Sequence, residues 1–195
     1  MEVVDPHPRF HRSYLAAVAE FVAAGEERHM GLPSWGAEPG FPGVDFTPES
    51  IRDPGEFAAM VRFLLEQRDP AAARPRAMVP ATELWMADGD EYLGRIALRH
   101  ELNELLYTWG GHIGYAVRPS ARRRGHASAA LLRMLEVCRD LGIDPVLVTC
   151  DTDNVGSRRT IEKAGGEYED TREGKLRYWV PVGRADRQSG LCEIR

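Results

Sequence analysis

At 195 residues the chain is long enough for one domain with a substantial core, and an apolar share of 43% excludes a disordered protein. A net charge of −5 excludes a general nucleic-acid binder, whose footprint is a broad basic surface. Cys138, Cys150 and Cys192 lie far apart, with neither metal-ligand spacing nor a paired framework, which points to a reducing cytoplasm and to no bound metal.

Met1 to Val4 reads as a first strand, ended by Asp5-Pro6. Tyr14, Leu15, Val18, Phe21 and Val22 recur at helical spacing, with Ser13 as N-cap and Gly25 as the stop. The acidic residues Glu2, Asp5 and Glu20 exclude a signal peptide here, and no run is long and apolar enough to span a bilayer. Glu26 to Pro54 is rich in Gly and Pro and holds Trp35, Phe41 and Phe46. A loop this long either covers a bound molecule or wraps the surface with its aromatics anchored in the core, and both readings stand. Phe57, Met60, Val61, Leu64 and Leu65 mark a second helix from Pro54 to Gln67, and the prolines between Asp69 and Pro80 make a loop. Glu83 to Ala87 and Tyr92 to Leu98 are strands around the turn Asp88-Gly89-Asp90, and Arg99 to Thr108 is a polar connector.

The next stretch, Gly111 to Gly166, organises the chain. Ile113 to Val117 is a strand, Ala127 to Leu141 an amphipathic helix, and Pro145 to Cys150 a second strand, so the three form a βαβ unit. Between strand and helix stands Arg122-Arg123-Arg124-Gly125-His126-Ala127. A helix start offers unpaired N–H groups and the positive end of a dipole. Gly125 admits an anion close to the backbone, and three guanidinium groups suit a phosphate or diphosphate. A shorter helix spans Gly156 to Ala164, a hairpin spans Glu167 to Asp170 and Leu176 to Val180, and Gly183 to Arg195 is a polar tail expected to fray.

Val117-x-Pro119-x-x-Arg122-x-x-Gly125-x-Ala127 resembles the acetyl-CoA motif of the GNAT superfamily of N-acetyltransferases, and Asp151-x-x-Asn154-x-x-Ser157 is similar to its second signature. The resemblance is specific from Ile113 to Gly166, looser from Glu83 to Val180, and absent over the first eighty residues. It implies an α/β fold: a mixed, twisted central sheet with helices on both faces, formed here by residues 1–182. It implies an acetyltransferase that moves the acetyl group of acetyl-CoA to a primary amine in a ternary complex. It also implies a bulged strand at Ile113 to Val117, with Gly114 permitting the bulge, splayed from the strand that follows. On this reading the pantetheine arm pairs with the backbone edge from Tyr115 to Arg118, and the Val117 N–H meets the thioester carbonyl. Arg122, Arg123, Arg124, Gly125, His126, Ala127 and Ser128 hold the diphosphate. Asn154 bonds the pantetheine arm, or caps its helix, or does both, with Ser157 close by.

Amine acetylation needs a neutral amine, donors for the oxyanion and an acid for the thiolate. Ile161 stands where many family members place a tyrosine acid. Tyr115, Tyr168 and Tyr178 are the tyrosines within reach. His100, Glu101, Glu104 and His112 cluster before or at the start of the strand at Ile113, on the expected acceptor side, and His112 has the best intrinsic pKa for a base. The acceptor is a small-molecule or peptide amine, and the acidic chain leans toward cationic acceptors such as polyamines, aminoglycosides or peptide N-termini. Neither nucleic acid nor membrane is expected as a partner, and a homodimer is compatible. A non-catalytic acyl-CoA-binding module is the rival reading.

Overall fold

The computed structural model describes residues 1–183. Strand β1 (Glu2–Val4) stops at Asp5-Pro6, and a 3-10 turn at Pro8–Phe10 leads into helix α1 (His11–Ala23). The helix starts before Ser13, which is therefore not its cap. The Ser13 hydroxyl instead donates to Glu91 and accepts from the Tyr92 N–H, both at 2.9 Å, and so ties the helix to the sheet. Gly25, at φ +67°, closes α1 in the left-handed conformation that a helix end favours.

The Gly/Pro-rich segment is partly ordered by its own backbone. Strands β2 (Ser34–Trp35) and β3 (Val44–Asp45) pair as a small ribbon. Trp35 and Phe46 seat against Phe63 of helix α2 (Pro54–Glu66), with ring centroids 5.2 Å and 6.1 Å apart. Helix α2 begins where the sequence indicates, because Asp53 accepts from the Gly55 and Glu56 N–H groups and Pro54 suits the first turn.

Strands β4 (Ala81–Asp88) and β5 (Glu91–Arg99) form the hairpin, and the polar connector closes as a π-helical turn at Leu106–Gly110. Strand β6 (Ile113–Val117), helix α3 (His126–Asp140) and strand β7 (Val146–Asp151) make the βαβ unit. Helix α4 (Val155–Lys163) and the hairpin of β8 (Glu167–Arg172) and β9 (Lys175–Val180) follow. Of the expected tail only Gly183 is described; residues 184–195 lie outside the described residues.

One sheet of seven strands runs β1-β4-β5-β6-β7-β9-β8, antiparallel throughout except for the β6–β7 pair. Alternation along β4 sends Leu84 and Met86 to one face and Trp85 and Ala87 to the other. Helices α3 and α4 cover the first face through Leu131, Met134, Cys138 and Ile161. Helices α1 and α2 cover the second through Tyr14, Phe21, Phe57 and Met60. Trp85 centres that second core, with Phe10, Tyr14, Phe57 and Tyr92 all within 6.0 Å of it. Each such fully buried ring contributes about 1.5–3 kcal/mol. A buried ion pair lies on the same face: Arg95 holds both oxygens of Glu83, at 2.6 Å and 2.5 Å.

Candidate active site

The site grows from strand β6. On its β5 edge the ladder is regular from Leu98↔Ile113 to Gly94↔Val117, and the Arg99 N–H to His112 O and Arg118 N–H to Leu93 O bonds extend it at both ends. The bulge expected at Gly114 is therefore absent. It sits one strand over, where the β4–β5 register shifts beside Met86 and Ala87 and leaves Leu93 as the extra residue. There a Cβ on Gly94, at φ +154°, would lie 2.3 Å from the Ala116 carbonyl, so only glycine fits. On the β7 edge pairing is confined to Ile113↔Val148. The bonds at residues 112 and 118 set the alternation, which turns the N–H and C=O of Tyr115 and Val117 toward β7, into a seam where the ladder has stopped.

Beyond the seam lies the arginine–glycine turn. Arg123 (φ +63°) and Gly125 (φ +83°) are both left-handed, a backbone that turns successive N–H groups into one concavity. Gly125 sits at the N-cap of α3 with no side-chain cap. No hydrogen bond among the described residues uses the N–H of any residue from Arg123 to Ser128. A Cβ on Gly125 would meet nothing within 4 Å, so the concavity is open. These are the unspent donors that a diphosphate needs.

A cavity of about 1190 Å³ joins turn and seam. Its wall holds Val117, the turn residues Arg122, Arg123 and Gly125 to Ser128, and Asn154 with Ser157. Asn154 caps α4, its side chain accepting from the Ser157 N–H at 2.9 Å, which leaves its amide NH₂ for another acceptor. Tyr115 reaches the Ser157 hydroxyl at 2.7 Å, and burial pushes the phenol up to about 12 against that hydrogen bond. Tyr115 faces the α3–α4 side of the sheet, whereas Ala116 faces the α1–α2 side. Both line the cavity, which therefore passes through the sheet.

Several sequence-based expectations need correction. Arg118 does not belong to the cofactor-binding edge. Its side chain is buried and donates to Glu20, Glu91, Ser13 and the Tyr92 carbonyl, while its N–H is spent on Leu93. Burial works against the charge of Glu20, but bonds from Arg118 and Ser120 outweigh it and hold that carboxyl low. Arg122 is also engaged. It grips both oxygens of Glu26 and donates to the Val117 carbonyl at 3.1 Å. Arg124 does not line the cavity, although it stands exposed at the turn.

His112 is not placed to act as a base. It is 7% exposed, its Nδ1 accepts from the Leu147 N–H at 2.9 Å, and its own N–H binds the Leu147 carbonyl. Burial and the Arg99 charge push its pKa down to about 4, so it is a neutral pin between β6 and β7. Glu101 and Glu104 are exposed and away from the cavity, and His100 bonds Thr82. Ile161 is fully buried in the core; Tyr178 is buried beside Glu162, and Tyr168 is exposed and bonded to Thr171. Reading the sequence missed Glu26 and His29, which also line the cavity, Glu26 bonded to Arg122 of the turn. Their one signal was membership of the long Gly/Pro-rich segment. Burial and the Arg28 charge hold His29 below the ordinary histidine range, with Arg28 Nε on its Nε2 at 3.2 Å. Among the described residues no cluster of three or more His, Cys, Asp or Glu is arranged for a metal, and no helix is long and apolar enough to cross a membrane.

The sequence profile of the acetyltransferase (GNAT) domain matches residues 42–167, more than half of the chain. The chain belongs to the GNAT acetyltransferases. As expected for a GNAT acetyltransferase, its fold is shared with solved members. RimJ of Mycobacterium smegmatis, in complex with CoA-disulfide, superposes with a TM-score of 0.59 at 15% identity over 92% of this chain and 80% of the other. The microcin C7 self-immunity acetyltransferase MccE, in complex with acetyl-CoA and AMP, gives 0.57 at 12% identity over 92% and 91%. The ribosomal-protein-S5-alanine acetyltransferase of Vibrio fischeri gives 0.57 at 12% identity over 92% of each. No curated protein matches the chain in sequence. The open turn and the seam of this GNAT acetyltransferase suit acetyl-CoA as cosubstrate, because the donors that such a molecule needs are present and unspent.

Proposed function

We propose that residues 1–182 act as one domain that moves the acetyl group of acetyl-CoA to a primary amine, the amine attacking the thioester directly in a ternary complex. The observation that carries this reading is the row of unbonded amides from Arg123 to Ser128, opening on a seam that exposes the backbone of Tyr115 and Val117. The turn amides, with Arg123, take the diphosphate. The Asn154 amide takes the pantetheine arm. The Val117 N–H polarises the thioester carbonyl. Tyr115 stays protonated at neutral pH, and a phenol near 12 does not surrender its proton to a thiolate whose own pKa is about 8.5. Its part is to hydrogen-bond the leaving sulfur, the proton arriving through Ser157 or water. On the amine side His29, held neutral, is the group set to receive the amine's proton once Arg28 swings off its Nε2. The two described cysteines are buried free thiols, which supports a reducing compartment such as the cytoplasm.

Calorimetry with acetyl-CoA tests the site. The wild type should bind, and Gly125→Trp, whose side chain would enter the open concavity, should lose binding about 100-fold or more while still melting cooperatively. Equal binding by the variant would remove the turn from the site. Release of CoA thiol that rises with added amine supports transfer. Firm acetyl-CoA binding with thiol release indifferent to every amine would instead favour a non-catalytic acyl-CoA-binding module.

A further inference from the structure

We infer that the acceptor is an amine that also carries an anionic group, a carboxylate or a phosphate, and that Arg99 is the residue that reads it. The inference rests on the acetyl-transfer reading above and adds the substrate class.

The geometry begins at Gly114. Ala97 pairs with Gly114, so Arg99, two residues along β5, projects on the same face as both. That face also carries Ala116, which lines the cavity two residues further along β6. The Arg99 guanidinium lies directly over Gly114: a Cβ there would sit 3.7 Å from Nη1 and 3.8 Å from Nη2. A side chain at position 114 would therefore rest against the guanidinium and cover it, and glycine leaves it uncovered.

The charge on that guanidinium is unspent. Nη1 donates to the carbonyls of Gly110 and Gly111, at 3.0 Å and 3.1 Å; among the described residues Nη2 and Nε have no partner, and no carboxylate lies in ion-pair range. Arg95, Arg118 and Arg177, which are comparably or more deeply buried, each face a carboxylate. Three of the carboxylates near the site are already committed. Glu83 is held by Arg95, Glu26 by Arg122, and Asp151 by Lys175, whose Nζ also rests 4.2 Å from the Trp109 ring. Neighbouring His112 is neutral. Burial and the like charge of Arg95 make the Arg99 cation costly, and its pKa is lowered accordingly. Arg99 and Gly114 stand one step along this face from the cavity wall at Ala116, and the Glu83 carboxylate acts on Arg99 without pairing with it. A half-buried cation with no direct ion-pair partner at that place suits an anion supplied by the substrate. The net charge of the chain suggests cationic acceptors, but the local balance on this face is the reverse.

Matched acceptors test this. Glycine is compared with glycinamide, and O-phosphoethanolamine with ethanolamine, by CoA release at fixed acetyl-CoA; the two pairs separate carboxylate from phosphate. The wild type should favour the anionic member of at least one pair by about 30-fold or more in kcat/KM. Arg99→Gln should bring that ratio close to one, and Arg99→Lys should keep part of it. A merely structural loss of the bonds to Gly110 and Gly111 would lower both members alike and leave the ratio unchanged. A second arm titrates N-acetylglycine and N-acetylglycinamide into the protein, with and without CoA. Tighter binding of the carboxylate, lost in Arg99→Gln, supports the inference even where none of the four amines turns over. Equal ratios in both arms, or a preference that survives Arg99→Gln, overturn it. Failure of acetyl-CoA itself to bind would overturn the transfer reading instead, and the titration without CoA would still decide the role of Arg99.

Discussion

The two edges of strand β6 are treated in opposite ways. Toward β5 the ladder runs unbroken from Ile113 to Val117, and Arg118 anchors its far end in a knot of Glu20, Glu91 and Ser13. Toward β7 it holds at Ile113↔Val148 and then opens, and the backbone donors from Arg123 to Ser128 in the next turn are left unsatisfied. A saturated edge supplies rigidity, and an unsaturated edge supplies binding. The strand can afford the second because it has the first.

Proline substitutions should break this comparison most sharply. Ala116 exchanges its backbone bonds with Arg95, so Ala116→Pro should destabilise the fold by about 3 kcal/mol or more, read by chemical denaturation. Val117→Pro removes a donor that faces the seam. It should cost stability only modestly, about 1 kcal/mol, yet lower acetyl transfer about 100-fold or more in a thiol-release assay. Equal destabilisation by the two variants would show that the β6–β7 seam is not open.

His112 pins the closed end of that seam, and its titration tests the pin. Its folded pKa, about 4, lies below the ordinary 6.5, so on acidification the unfolded chain takes the proton first. Its contribution is intact above pH 6.5 and is lost as the pH falls toward 4. His112→Asn keeps an acceptor for the Leu147 N–H without the titration. Between pH 7 and 4.5 it should lose about 2 kcal/mol less stability than the wild type, measured by denaturant unfolding at both pH values. A smaller effect is expected at the leaving sulfur: Tyr115→Phe should lower turnover about tenfold while the acetyl-CoA dissociation constant measured by calorimetry stays within about threefold.

The βαβ unit was legible in the sequence because its signals are local. A strand, a glycine turn, an amphipathic stripe and a second strand each declare themselves within a few residues. The roles of single charged residues were not legible. Arg118 ends the strand edge expected to meet the cofactor, but Glu20, 98 positions away, claims its side chain. Glu26, 96 positions from Arg122, does the same there. His112 has the intrinsic pKa of a base, but burial against β7 and the Arg99 charge remove it. Ser13 reads as a cap in a sequence that starts its helix earlier, on Pro8–Phe10. The bulge lies in β5 rather than β6, beside Gly94, which unlike Gly114 faces a carbonyl that no Cβ could clear. In each case the deciding partner arrives through the fold.

For the transfer proposed above, a cavity that reaches both faces of the sheet offers the reactants separate approaches, the long thioester arm from the side of α3 and α4 and the acceptor from the side of α1 and α2. Neither then obstructs the other's route, and the spent carrier can depart by the way it came while the acetylated product leaves by the opposite mouth. Initial velocities should accordingly follow intersecting-line kinetics, with little inhibition by excess of either reactant.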